Sequence, residues 1–220
     1  FDIKKVEYQN DTVKNNHYKY CYILKTNLKE NEFVIQEEEL TDVKYQPRKF
    51  FDEDKINELA ELLISMQSKG YSGACWGYNF DWQGDFKFLF PRYTPTVVAT
   101  NFCATALMEA YEITKNKKYL DVALTAADFV IKDLHRTPHT EGFLFSYSKP
   151  KGNDTVFNAS LLGSRLLSFC YHYTGNEEYK HLAEESVKAC CLGQEKSGAW
   201  AYGMTPTQNW KDSFHTGYNL

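Results

Sequence analysis

Three side chains able to move a proton stand among aromatics in this 220-residue chain. Asp81 lies between Phe80 and Trp82 in the run C-W-G-Y-N-F-D-W-Q, residues 75–83. Asp212 and His215 are three positions apart in W-K-D-S-F-H, residues 210–215. Rings that strip water from a carboxyl raise its pKa, which suits proton donation to a glycosidic oxygen. Hydrolysis of such a bond takes two carboxyl groups, so Asp81 and Asp212 form a candidate catalytic pair. Each acid alone also suits a helix cap or a backbone ligand. His215 beside a carboxylate is the other candidate, an oriented base of the kind that removes the C5 proton of a uronate. Tyr202 or Tyr218 would then be the opposing acid. A histidine capping a helix or bonding a loop carbonyl accounts for the same spacing.

Sixteen Tyr, fifteen Phe and four Trp exceed what a helical core needs, so part of them is expected to line a binding surface. Aromatic faces stack on the C–H faces of sugar rings while nearby amides bond the hydroxyls. Trp76, Tyr78, Trp82, Gln83, Tyr147, Trp200, Tyr202, Trp210 and Tyr218 are the candidates. The plainer reading makes Trp76 and Trp82 interior plugs. Asn101 and Asn158 read as matching amides on two apolar helices, where they must find partners. They either brace a loop backbone or face a ligand. Arg48, Arg92 and Arg165 suit a two-pronged bond to a carboxylate, or an ordinary ion pair.

The elements that position these residues repeat. Tyr111, Thr114, Asn116, Tyr119 and Ala123 recur as Tyr171, Thr174, Asn176, Tyr179 and Ala183, each 60 positions on. Both copies read as a helix end, a polar turn and a helix start. Glycine-led aromatic strips follow, G-A-C-W-G-Y (73–78), G-F-L-F-S-Y (142–147) and G-A-W-A-Y (198–202). Asp52 is the expected cap of a helix near 52–68 with a core stripe of Ile56, Leu59, Ala60, Leu63 and Met66. Further helices are expected from Thr96 to about 114, over 117–134, from an Asp154 or Thr155 cap to about 173, and over 177–193. The strips at the ends of these hairpins would converge, bringing Tyr78, Tyr147 and Tyr202 to equivalent places.

The net charge of -4 and the lack of a basic block argue against nucleic acid. No apolar run reaches membrane-spanning length, and F-D-I-K-K-V-E-Y at the start lacks the core of a leader, so a cytoplasmic location is expected. Six cysteines, Cys21, Cys75, Cys103, Cys170, Cys190 and Cys191, include no CxxC; Cys103, Cys170, Cys190 and Cys191 lie in apolar helical stretches, so buried, reduced thiols are expected, with neither zinc nor other cofactor.

Helix hairpins joined by such strips resemble the (α/α) toroids, among them six-hairpin glycosidases, uronate epimerases and the prenyltransferase/terpene-cyclase ring. W-G-Y-N-F-D-W-Q (76–83), P-T-V-V-A-T-N-F (95–102), V-F-N-A-S-L-L-G (156–163), S-G-A-W-A-Y-G (197–203) and W-K-D-S-F-H-T-G-Y (210–218) resemble a bacterial group found with surface-polysaccharide and capsule biosynthesis. The resemblance covers residues 52–220. It implies an all-α domain over 51–220, a partial (α/α) toroid of helical hairpins, after a separate irregular or β-containing segment at 1–50. Six hairpins of ~60 residues would need more chain, so a second copy or a further segment would complete the ring. No DxDD, DDxxD or zinc triad is present to support the cyclase or prenyltransferase branch. The resemblance implies a carbohydrate-active protein acting on a bacterial surface polysaccharide or uronate-containing glycan, by hydrolase, lyase or epimerase chemistry. The other reading is a non-catalytic polysaccharide-binding or scaffold protein.

Overall fold

The computed structural model describes residues 5–7, 20–22, 52–84 and 88–220, so Arg48 lies outside the described residues. The chain divides into two units, Phe1–Pro47 and Arg48–Leu220. In the first, β1 (Lys5–Glu7) pairs antiparallel with β2 (Tyr20–Tyr22), Val6 opposite Cys21. The second is mostly helical. Its helices are α1 (Glu53–Ser65), α2 (Val97–Thr114), α3 (Lys117–Asp128), α4 (Phe157–Thr174), α5 (Glu177–Cys191) and α6 (Ser213–Asn219). A π-helical turn, Phe129–Asp133, carries α3 close to its expected end.

The helix limits follow from local chemistry. Asp52 accepts the Lys55 N–H at 3.1 Å and Thr96 accepts the Ala99 N–H at 3.1 Å, each filling a donor left open by the first turn. Asn116 and Asn176 do the same for Lys118 and Glu178. The turns before them match as well. Lys115 and Gly175 adopt φ of 57° and 67°, and their N–H groups close α2 and α4 on the carbonyls of Tyr111 and Tyr171. Neither Asp154 nor Thr155 caps α4; its cap is Val156, whose apolar side chain accepts no hydrogen bond. The α4 head is closed from a distance instead, the Phe157 N–H donating to the Tyr202 carbonyl at 3.1 Å.

α2 and α4 pack on each other; α1 and α3 cover α2, while α5 and α6 lie on α4. The shared core includes Val97, Leu107, Tyr119, Phe129, Phe145, Leu166 and Leu167. α5 buries Leu182, Ala183, Ser186, Ala189 and Cys190, one stripe of a helix whose other face is wet.

Two connectors expected as loops contain antiparallel hairpins: β3 (Trp82–Gly84) with β4 (Phe88–Phe90), and β5 (Arg136–His139) with β6 (Gly142–Phe145). Gly73 and Gly142 press against the main-chain carbonyls of Thr125 in α3 and Glu185 in α5, where a Cβ has no room. Those two contacts lie 60 residues apart on the helices and show why the first two strips begin with glycine, whereas Gly198 has open space and a φ of 86°.

The thiols divide. Cys75, Cys170 and Cys190 are buried, and burial pushes each up to about 12. Cys103 is half-buried and Cys191 is exposed, a correction to the reading that placed every helical cysteine inside.

A candidate functional site at the heads of α2, α4 and α6

The connectors after α1, α3 and α5 are fastened by one device used three times. The main-chain N–H of Trp76 donates to Thr100 Oγ1 at 3.1 Å, that of Phe145 to Ser160 Oγ at 3.0 Å, and that of Trp200 to Thr216 Oγ1 at 3.4 Å. Each hydroxyl stands four residues after a helix cap, Thr96, Val156 or Asp212. Two residues beyond each aromatic comes a tyrosine, and the second and third connectors are fixed again at theirs by a neighbouring helix head. The Val97 N–H donates to the Tyr147 carbonyl at 2.8 Å, as Phe157 does to Tyr202. Short antiparallel bridges Thr96–Ser148 and Val156–Gly203 accompany these bonds. α6 thus shares the hydroxyl fastening of α2 and α4.

This stitching brings Tyr78, Tyr147 and Tyr202 to the wall of one cavity of about 510 Å³, with Asn158, His215 and Tyr218. Other rings back the lining tyrosines. Trp210 stacks on Tyr202 with centroids 4.6 Å apart and planes 9° from parallel. Trp82 stacks on Tyr147 and on Phe90, at 6.5 and 5.2 Å. Burial lifts the Tyr147 phenol well above its ordinary value, and the neighbouring Tyr202 and Tyr78 add to that.

His215 and Asp212 form the oriented pair of the site. Asp212 caps α6, its Oδ1 accepting the His215 N–H at 2.6 Å, and its Oδ2 lies 2.8 Å from His215 Nδ1. The main-chain bond first, and the ring bond second, hold the Asp212 carboxyl below the usual carboxylate range. Asp212 is therefore an ionised orienter and not a proton donor. With Nδ1–H donating to it, His215 keeps Nε2 as the basic nitrogen. The imidazole stands edge-on to Tyr202, Trp210 and Phe214, with centroids 4.8, 5.3 and 5.2 Å away.

Asp81 is placed otherwise than expected. Its side chain is exposed, Oδ1 accepts the Arg92 N–H at 2.8 Å, and it is not part of the cavity wall. The flanking rings do not enclose it, so the paired-carboxylate arrangement with Asp212 loses its premise. Gln83 is exposed on β3, outside the cavity. Trp76 reaches the cavity wall but is 2 % exposed, and its indole N–H donates to the Leu63 carbonyl at 2.7 Å. Trp200, also buried, donates to the Cys190 carbonyl at 2.8 Å. Both are interior braces and not open platforms.

The two asparagines do not match. Asn158 is the second residue of α4, while Asn101 is the fifth of α2. Asn101 Oδ1 accepts from Arg165 Nη1 at 3.1 Å, away from the cavity wall. Asn158 lines the cavity, is 8 % exposed, and its Oδ1 is buried without a hydrogen-bond partner. Arg165 also lies over the Phe169 ring at 4.7 Å, and Arg92 over Tyr93 at 5.8 Å.

The positioning hydroxyls Thr100, Ser160 and Thr216 escaped the sequence reading. Their signal is a hydroxyl four residues past each cap, in T-V-V-A-T, V-F-N-A-S and D-S-F-H-T. Among the described residues no group of three or more His, Cys, Asp or Glu is arranged to hold a metal, and no helix is long and apolar enough to cross a membrane. Neither a scan against protein-family models nor a search of curated proteins finds a match.

Proposed function

We propose that this is a carbohydrate-active protein whose hairpins form an arc of an (α/α) toroid and whose aromatic cavity binds a bacterial surface polysaccharide or its precursor. The reading of the arc is supported by the 60-residue recurrence of turns, carbonyl contacts and hydroxyl fastenings between α2 and α4. The saccharide reading is supported by tyrosines backed by stacked rings around a cavity that also offers an amide and an imidazole. A reducing compartment, the cytoplasm, suits the free thiols.

One observation carries the enzymatic reading: His215, oriented by an ionised Asp212, opens on the same cavity as Tyr147, Tyr202 and Tyr218. That constellation suits proton transfer at a sugar, with His215 as base and Tyr202 or Tyr218 as acid. It favours elimination or epimerisation over hydrolysis by two carboxylates. The test is incubation with surface-polysaccharide fragments in heavy water, following products and deuterium uptake by NMR. His215→Gln is expected to slow turnover by about 10²–10⁴-fold, the usual weight of a positioned base. Binding without deuterium uptake or product, in the unaltered protein, would leave the scaffold reading in place of the enzymatic one.

A further inference from the structure

We propose that an aromatic shelf built on Phe80 and Tyr93 continues the cavity outward, so that the ligand is an oligosaccharide running from the cavity onto the shelf. This rests on the saccharide reading above and deepens it from a single sugar to a chain of rings.

The first ground is a stack of rings that leaves the cavity. Tyr147 and Tyr78 both line it. Trp82 stacks on Tyr147 at 6.5 Å and meets Tyr78 edge-on at 6.1 Å. Phe80 lies against Tyr78 with centroids 5.3 Å apart and planes 17° from parallel. The order from wall to surface is thus Tyr147, Trp82, Tyr78, Phe80. Phe80 is 55 % exposed, whereas Phe90, which backs Trp82, is buried. A phenylalanine left in water forgoes the free energy of burial, and a sugar face laid on it recovers part of that.

The second ground is Tyr93. Its φ of 64° lies in the left-handed region, which a bulky side chain enters only under constraint. Two bonds impose it. The Tyr93 N–H donates to the Tyr78 carbonyl at 2.5 Å, and the Tyr93 carbonyl accepts from Ser68 Oγ at 2.7 Å. Gly77, with no Cβ to meet the Thr94 carbonyl, allows that close approach. The ring is nevertheless 45 % exposed, with the Arg92 guanidinium 5.8 Å from its centre. Strain that is not offset by burial is found where a side chain is held out for a ligand.

A polar group stands beside these rings. Asp81, next to Phe80 in the chain, accepts the Arg92 N–H through Oδ1 and so ties the Phe80 stretch to the Tyr93 stretch. Its exposed carboxylate is an acceptor for sugar hydroxyls, the usual companion of an aromatic platform. A protein partner fits less well. An interface takes about 800 Å² from each side, and three rings exposed to this degree offer roughly 300 Å².

The experiment measures binding of oligomers of glucose, mannose, N-acetylglucosamine and galacturonate, one to six rings long, by calorimetry and saturation-transfer NMR at pH 7. In at least one series affinity is expected to rise about tenfold or more as the chain lengthens beyond one ring. Phe80→Ala is expected to cut that gain to under about threefold, and Phe80→Tyr, which keeps the ring, to preserve it. Tyr93→Asn, whose side chain accepts the left-handed backbone, should hold the melting temperature while lowering the gain. A lower melting temperature with the gain intact would make Tyr93 structural and remove it from the shelf. Affinity independent of length, in every series that binds, would overturn the inference and leave the saccharide reading in place. A gain that survives Phe80→Ala, in a variant with unchanged circular dichroism, would overturn the shelf. A dimer seen by sedimentation that Phe80→Ala dissociates would assign these rings to a second copy and overturn it too. No binding by any series would overturn both the inference and the reading beneath it.

Discussion

At Asp81 the sequence misleads for a simple geometric reason. Residues 79 and 80 form a bend and Trp82 opens β3, so the rings on either side of Asp81 do not close over it. The carboxylate finds water and the Arg92 N–H instead. Trp76 errs the other way: an aromatic in a glycine-rich strip looks exposed, yet its N–H reaches back to the end of α1. Trp76→Phe removes that donor and leaves the Leu63 carbonyl only the Met66 N–H at 3.1 Å. It is expected to cost about 0.5–1.5 kcal/mol of stability in urea unfolding. Sugar binding should be unchanged within twofold, since the ring remains. A collapse of binding with stability intact would make Trp76 a contact residue after all. Asp212 and His215 were legible as a pair because one helical turn separates them, and local spacing survives folding.

Helices were easier to read than their beginnings. Asp52, Thr96, Asn116 and Asn176 cap by short-range bonds that the sequence displays. The α4 head was misjudged because its acceptor, the Tyr202 carbonyl, comes from a distant connector, and carbonyls carry no sequence signature. The same holds for the hydroxyl fastenings, where only the receiving side chain is visible. Ser160 is the most heavily used of them. Its Oγ accepts the buried Phe145 N–H and lies 2.8 Å from Ser186 Oγ, joining β6, α4 and α5. Ser160→Ala strands that N–H and is expected to lower stability by about 1–3 kcal/mol. The cost should shrink in a Ser160→Thr protein, which restores the hydroxyl if its methyl is accommodated. Calorimetric melting of both variants decides this, and equal melting of Ser160→Ala and the unaltered protein would refute the fastening.

Across the domain, one ion pair joins parts that the repeat does not. Asp133, at the end of the π-helical turn, meets Lys149 Nζ at 2.9 Å and the Ser72 N–H at 2.7 Å, so it ties the first connector to the second. Burial opposes ionisation of Asp133, yet the Lys149 ammonium and the Ser72 bond outweigh it and hold the carboxyl below its usual range. A carboxyl held low stabilises the fold fully above its unfolded value of ~4 and loses that contribution as pH falls through the folded one. Melting temperature should therefore drop on acidification below about pH 4, and drop less steeply in Asp133→Asn, which starts lower. Identical acid profiles for the two proteins would remove Asp133 from that role.

The bonds that close the buried helices also have a direction in time. The Val97 and Phe157 N–H groups wait for the carbonyls of Tyr147 and Tyr202, which lie far downstream in the chain. During synthesis, the start of each such helix stays open until about fifty further residues have left the ribosome, a delay of several seconds at ordinary rates. A nascent chain halted just short of Tyr202 would carry α4 with a loose first turn, and the translating cell must tolerate that half-made state.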